Sequence, residues 1–144
     1  MCAPAAGIVL IADYAELPRL ERFFDDFPDI AERDRMRARI AATELFDNVV
    51  AHARDPRPAR VSIRLSPGPP LKLDLSYKST NFPEFEAELA AARAHAALPS
   101  PSRAPRYAAD DRRYRGLGLT MCLAVASGVT TQAGLFRHLV SVVF

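Results

Sequence analysis

The chain has 144 residues, of which 49% are hydrophobic and 25% charged, and its formal net charge is +2. This length and apolar content predict one globular domain spanning 1–144 and exclude a disordered tail. No apolar run reaches the ~20 residues that span a bilayer and no secretory signal pattern opens the chain, so we expect a cytoplasmic protein without membrane contact. Arg and acidic residues are interspersed, which predicts no direct nucleic-acid partner.

The first half of the chain predicts a strand followed by two helices. Residues 7–12 form a short apolar run with β-branched members, the pattern of a strand. Apolar residues at helical spacing within 18–27 then predict a short amphipathic helix. Asp29 and Glu32 have the spacing of a capping box, so we expect a long central helix from 29 to about 53.

A hairpin and a third helix are predicted next. Apolar and polar residues alternate in 61–65 and again in 71–75, and the Pro- and Gly-rich residues 66–70 between them predict a turn. Residues 83–97 are rich in Ala and Glu, which favours a helix.

The last part of the chain begins with a segment that lacks apolar periodicity. Residues 98–115 carry three prolines and several Arg, which predicts a mobile, lid-like loop. We expect a helix over 117–127 that Gly128 ends as the residue after its cap. Two strands, 129–132 and 135–144, close the chain. Hairpins outnumber crossovers, so the order predicts an α+β fold, with helices on one face of a mixed, mostly antiparallel sheet.

The central helix carries the first candidate functional residues. Glu44, Asn48 and His52 follow at a spacing of four and form one polar stripe beside an apolar face. On the wall of a cleft, such a carboxylate can act as a base and such an amide oxygen can bind Mg²⁺. The alternative is an ordinary solvated helix face.

Together with the sequence Arg-Gly-Leu-Gly-Leu at 115–119, this stripe resembles the GHKL (Bergerat-fold) ATP-binding superfamily. The chain looks most like the anti-sigma-factor serine/threonine kinases, which have the histidine-kinase-like ATPase fold. Their helix motif, roughly E-x-x-x-N-A-x-x-H-A, is matched by Glu44, Asn48, His52 and Ala53. The resemblance implies that Glu44 orients or deprotonates the attacking hydroxyl and that Asn48 binds the Mg²⁺ of ATP.

A second family motif, G-x-G-L-G-L, is matched from its second glycine by Gly116, Leu117, Gly118 and Leu119, whereas Tyr114 replaces the first glycine. The resemblance implies that these glycines approach phosphates at a helix N-terminus, with the preceding Arg115 beside them, and that 98–115 is the lid over the nucleotide. The structural alternative is a tight entry from loop to helix.

The family's adenine motif, D-x-G-x-G-F, is altered in this chain. Alternation along the strand aligns its Asp with Tyr77, its glycines with Ser79 and Asn81, and its Phe with Phe82. A bulge would instead return the adenine position to Asp74. In the preferred register the adenine end is degenerate, while the phosphate end is kept.

Three functions follow from this resemblance. The first is an ATP-Mg-dependent serine/threonine kinase that regulates a sigma factor or its antagonist, with weak nucleotide binding. The second is a pseudokinase module that sequesters a protein partner without nucleotide. The third is a stand-alone phosphotransfer or ATP-hydrolysing domain, and a homodimer is compatible with all three.

Overall fold

The structure, a computed structural model, describes residues 4–53, 57–97, 106–108, 113–115 and 117–144. Its main sheet is formed by β1 (Ala6–Ile11), β2 (Arg60–Ser66), β3 (Lys72–Tyr77), β6 (Gly128–Gln132) and β7 (His138–Val143). The strands lie in the order β1-β2-β3-β7-β6. All four pairings are antiparallel, so the main sheet contains none of the parallel pairs that a mixed sheet would have.

Helices cover one face of this sheet. They are α1 (Leu17–Phe23), α2 (Glu32–His52), α3 (Phe82–Ala96) and α4 (Leu117–Val125). Alternate residues of β2 and β3 are fully buried beneath them, among them Ile63, Leu65 and Leu73. Side chains in a strand alternate between its two faces, so these residues place the hydrophobic core between sheet and helices. The predicted two-layer α+β sandwich is confirmed.

The long helix α2 owes its position to its apolar face. Its buried residues are Ala38, Ala41, Ala42, Leu45, Phe46 and Val49. They recur at helical spacing and join the core that the sheet also lines. Beside this face, Arg37 Nε donates a hydrogen bond of 2.7 Å to the carbonyl oxygen of Val125, which ties α2 to the end of α4. The helix α2 is therefore fixed against α4.

Several predicted boundaries are wrong, for local reasons. The central helix begins at Glu32 and no side chain caps it. The residues before it turn back on Phe27 instead. The Phe27 carbonyl oxygen accepts hydrogen bonds from the Ile30 N–H and the Arg35 side chain. The predicted helix over 18–27 is α1 followed by a 3₁₀ turn, Phe24–Asp26.

The end of the chain also differs from the prediction. Gly128 does not cap α4 but is the first residue of β6. The last strand begins at His138 rather than at 135, because residues 134–137 form a tight turn in which a Cβ on Gly134 would overlap the carbonyl oxygen of Arg137. Leu135 and Phe136 are consequently left exposed.

The predicted lid lies mostly outside the described residues. Within it, Arg106–Ala108 (β4) and Arg113–Arg115 (β5) form a two-stranded antiparallel hairpin rather than a loop. In the part of the chain that the structure covers, we find no helix with the length and apolar character needed to cross a membrane.

Candidate functional site

The polar stripe of α2 divides between two places. Asn48 and His52, in its last turns, line an open pocket between α2 and α3. Glu44, one turn earlier, points to α4 instead and is absent from the described wall of that pocket. The helix thus presents its amide and imidazole to the pocket and its carboxylate to a neighbouring helix.

Glu44 contacts the start of α4 directly. A Cβ built on Gly118 would overlap Glu44 Oε2, so the missing side chain of this glycine makes room for the carboxylate. One turn further along α4, Cys122 is fully buried. Burial, with the nearby Glu44 carboxylate, raises the pKa of the Cys122 thiol to about 12. Gly118 and Cys122 of α4 thus both lie near the Glu44 carboxylate.

The residues of the glycine motif lie in two different elements, the end of β5 and the start of α4. Leu117 begins α4 and Leu119 is buried in the core, so the second half of the motif is helical. Arg115 ends β5, and Gly116 lies outside the described residues. The backbone of Gly118 closely approaches the Glu44 carboxylate.

The strand register agrees with the alternation argument. Tyr77 is only 3% exposed and faces the helices, on the same face as Leu73 and Leu75. Asp74 faces the other way, where its carboxylate accepts a 2.6 Å hydrogen bond from Ser141 Oγ and pairs with Lys72 Nζ at 3.4 Å. The bulge that would have returned Asp74 to the helix side is absent, since residues 72–77 pair with β7 without a break.

The ring of Tyr77 is packed against other rings. It meets Phe82 edge-on with centroids 5.8 Å apart, and it lies 6.3 Å from the imidazole of His138. His138 in turn stacks on Phe82 at 4.2 Å. Burial, and secondarily the carboxylate of Glu86, raises the pKa of the Tyr77 phenol, so it is neutral at physiological pH. An aromatic cluster of Tyr77, Phe82 and His138 therefore occupies the end of β3, where the resemblance aligns Tyr77 with the Asp of the family motif.

Hydrogen bonds close the segment after Tyr77. The Asn81 side chain donates to the carbonyl oxygen of His52 at 2.7 Å, at the end of α2. Ser79 Oγ donates to Asn81 Oδ1, and His138 Nε2 lies 2.8 Å from the Ser79 carbonyl oxygen, an acceptor. Ser79 and Asn81 thus tie this segment to α2 and β7.

The pocket itself has a volume of about 120 Å³. Typical small-molecule sites enclose roughly 300–1,000 Å³. Two carboxylates that the sequence analysis did not single out, Glu84 and Glu88, stand on its α3 side. Their spacing of four residues was the available signal, but an Ala- and Glu-rich helix predicts a solvated face equally well.

These residues fit ATP-Mg poorly. The Tyr77 ring is buried at the position that the resemblance aligns with the adenine-binding Asp, and Glu84 and Glu88 would repel the phosphates of a nucleotide in the pocket. Asn48 lines the pocket, yet the described residues include no cluster of three or more His, Cys, Asp or Glu side chains able to hold a metal ion.

The structure therefore brings Asn48, His52, Tyr77, Ser79 and Asn81 together around one pocket, and places Glu44 with Gly118 at a separate contact. In comparisons with known proteins, the chain matches no protein-family model and has no significant match among curated proteins.

Proposed function

We propose that the protein is a regulatory module with a kinase-like framework that sequesters a protein partner, such as a sigma factor or its antagonist, without using nucleotide. The observation that carries this proposal is the buried ring of Tyr77, which fills the position where the adenine-binding motif would need an acid and open space. A module of this kind keeps the fold as a binding scaffold and performs no phosphoryl transfer.

The separation of Glu44 from the pocket supports the same conclusion. A general base has to reach the proton that it removes, within about 3 Å or through one water. Glu44 is held against Gly118 and Cys122 of α4, whereas Asn48 and His52 face the pocket. The carboxylate and the amide of the motif therefore do not converge on one ligand.

A protein partner is supported by two exposed apolar side chains. Leu135 is 92% exposed and Phe136 is 79% exposed, at the tip of the β6–β7 hairpin. Adjacent large apolar side chains of this exposure are typical of protein-interaction sites. Next to them, the Arg137 side chain donates to Ser76 Oγ, the Ser76 carbonyl oxygen and the Arg60 carbonyl oxygen, which anchors the hairpin to the sheet.

A second candidate function is the ATP-Mg-dependent serine/threonine kinase. The observation that favours it is the contact between Glu44 and Gly118, because it joins the two motifs that would hold a triphosphate. In that case Glu44 would be the base, Asn48 would bind Mg²⁺, and the N-terminal turn of α4 would face phosphate.

Co-purification with the sigma factors and anti-sigma antagonists of the source organism tests the proposal. We expect a complex that forms equally with and without Mg-ATP and that Leu135→Ser with Phe136→Ser abolishes. An exposed pair elsewhere, Val9→Ser with Met36→Ser, is the matched control. A complex that needs Mg-ATP, or one that both double variants form equally well, would contradict the proposal.

A further inference from the structure

The two edges of the main sheet differ in their protection. β6 forms one edge, and there the carbonyl oxygen of Val129 accepts a hydrogen bond from the Arg93 side chain of α3. Thr131 Oγ1 also donates to Glu86 Oε2 at 2.9 Å, so α3 is bonded to this edge strand at two points. β1 forms the other edge and pairs only with β2 among the strands that the structure describes. Natural proteins usually block an exposed edge strand with charge, proline or a covering element.

The strand β1 has an open row of backbone groups. Its sequence, AGIVLI, contains neither charge nor proline. The Ala12 N–H donates to the Ala59 carbonyl oxygen at 2.8 Å, and the register with β2 runs unbroken over Ala6–Ile11. Because antiparallel ladders alternate, the even positions of β1 turn their backbone groups to β2 and the odd positions turn theirs to the edge. The N–H and C=O groups of Gly7 and Val9 therefore face outward, with no partner in the described part of the chain.

The side chains next to this edge favour a partner with negative charge. The odd residues of β1 face the uncovered side of the sheet, where Val9 is 52% exposed and Ile11 41%. Arg60 and Arg64, on the same side of β2, are exposed, and neither forms an ion pair with a described residue. Arg64 lies directly opposite Gly7, so no side chain of β1 stands between Arg64 and the edge.

The positive charge on this side of the sheet is mostly uncompensated. Arg137 brings a third guanidinium close to Arg60, since it donates to the Arg60 carbonyl oxygen at 3.0 Å. The five strands carry one carboxylate, that of Asp74, and it already pairs with Lys72. A second copy of β1 would bring no carboxylate to this region, whereas an acidic strand would neutralise the arginines.

We propose that β1 is a docking edge for an extended, acidic segment of another protein, which joins the main sheet as a sixth strand. The backbone of the segment pairs with Gly7 and Val9, and its carboxylates, at alternate positions, meet Arg64 and Arg60 on the uncovered side. Main-chain hydrogen bonds supply the affinity of such an added strand, and the side chains beside it supply the specificity. The inference goes beyond the proposed function, whose exposed apolar pair lies on the hairpin of the opposite edge strand, β6.

The test is a titration of the ¹⁵N-labelled full chain with an acetylated and amidated hexapeptide that alternates glutamate and valine, at constant ionic strength. We expect saturable shifts of the Gly7, Val9 and Ile11 amides, with slower hydrogen exchange at Gly7 and Val9. The same peptide with lysine in place of glutamate should bind about fivefold or more weakly, because favourable charge pairs are replaced by like charges.

Two pairs of variants separate backbone pairing from charge. Val9→Pro removes an outward N–H without removing a bond of the β1–β2 ladder, so it should abolish binding, whereas Val9→Thr should keep it. Arg64→Glu should reverse the preference between the two peptides, and it tests the site even if Val9→Pro does not fold. Arg33→Glu, at an exposed arginine on α2, is the matched control and should leave the preference unchanged.

Three results would overturn the docking edge and leave the proposed function standing. They are an absence of saturable shifts with the acidic peptide, equal binding of the two peptides, and shifts that persist in a folded Val9→Pro variant. Protection of the β1 amides in the free protein, together with a mass in sedimentation that rises with concentration, would assign the edge to a second copy and overturn the proposal as well. Leu135→Ser with Phe136→Ser should leave peptide binding unchanged, so the two proposals fail separately.

Discussion

The carboxylate of Glu44 occupies the space that a side chain on Gly118 would fill. Glu44 belongs to the helix motif of the chain and Gly118 to its glycine motif, so the two sequence features meet in the fold although 74 positions separate them (118 − 44 = 74). The contact gives Gly118 a packing role. Negative charge next to the first turn of a helix is also favourable, because the N-terminus carries partial positive charge.

This contact predicts coupling between the two positions. Ala is a better helix former than Gly by about 1 kcal/mol, yet a Cβ on Gly118 would displace Glu44. We therefore expect Gly118→Ala to stabilise the protein in a Glu44→Ala background. In the wild type, the same substitution should stabilise the protein much less, or destabilise it. Urea unfolding of the four proteins would measure a coupling of about 1 kcal/mol. Additivity within about 0.5 kcal/mol would contradict the contact.

A second prediction concerns Asn81, whose side chain donates to the His52 carbonyl oxygen. Asn81→Ala removes this link between the segment after β3 and the end of α2. We expect a loss of about 0.5–1.5 kcal/mol in the free energy of unfolding for each hydrogen bond removed, because the Asn81 side chain also accepts one from Ser79 Oγ. Lys78→Ala, an exposed neighbour, should stay within about 0.5 kcal/mol of the wild type. Equal effects of the two substitutions in chemical denaturation would show that the link is not formed.

Much of the fold can be predicted from the sequence, because period and polarity report which face a residue takes. The alternation in 71–77 was enough to separate Tyr77 from Asp74, and the structure agrees. Exact helix starts are harder, since they depend on tertiary contacts. The capping box at Asp29 is not used because the Phe27 carbonyl oxygen accepts bonds from Ile30 and Arg35.

The candidate site was predicted only in part, for a similar reason. Residues on one element, such as Asn48 and His52, can be grouped by their spacing. Glu84 and Glu88 belong to the pocket because the fold brings α3 to the opposite wall from α2, and helix periodicity alone does not indicate which neighbour a polar face meets. In the same way, nothing in the motif indicates that Glu44 would face Gly118 rather than the pocket.

The buried thiol of Cys122 predicts a loss of stability at high pH. Burial, aided by the Glu44 carboxylate, raises the thiol pKa from 9.0 to about 12 in the folded protein. The unfolded chain therefore releases this proton first, and stability falls between about pH 9 and pH 12 with a slope of up to about 1.4 kcal/mol per pH unit. Thermal unfolding should show a shallower decline for Cys122→Ala than for the wild type. Parallel declines would show that the thiol does not contribute.

Introducing the adenine motif of the GHKL superfamily tests whether Tyr77 corresponds to the Asp of that motif. Tyr77→Asp combined with Ser79→Gly and Asn81→Gly places an acid at the end of β3 and two glycines in the segment after it. We expect this variant to lose about 3–5 kcal/mol of stability, as for removal of a buried aromatic ring. We also expect millimolar Mg-ATP to raise its Tm. Asp74→Asn, on the opposite sheet face, should leave the nucleotide response unchanged. No such rise in the folded triple variant, nor in the same variant with Glu84→Gln and Glu88→Gln to remove the repelling carboxylates, would show that Tyr77 does not correspond to the Asp of the adenine motif.

The most direct measurement of the central claim is an isothermal titration of the wild-type protein with ATP and excess Mg²⁺. The claim is that Tyr77, the segment closed by Asn81 and the carboxylates of Glu84 and Glu88 exclude nucleotide. We predict no saturable heat up to millimolar ATP, which corresponds to binding weaker than about −4 kcal/mol. A dissociation constant in the micromolar range, with one site per chain, would contradict the account and favour the kinase.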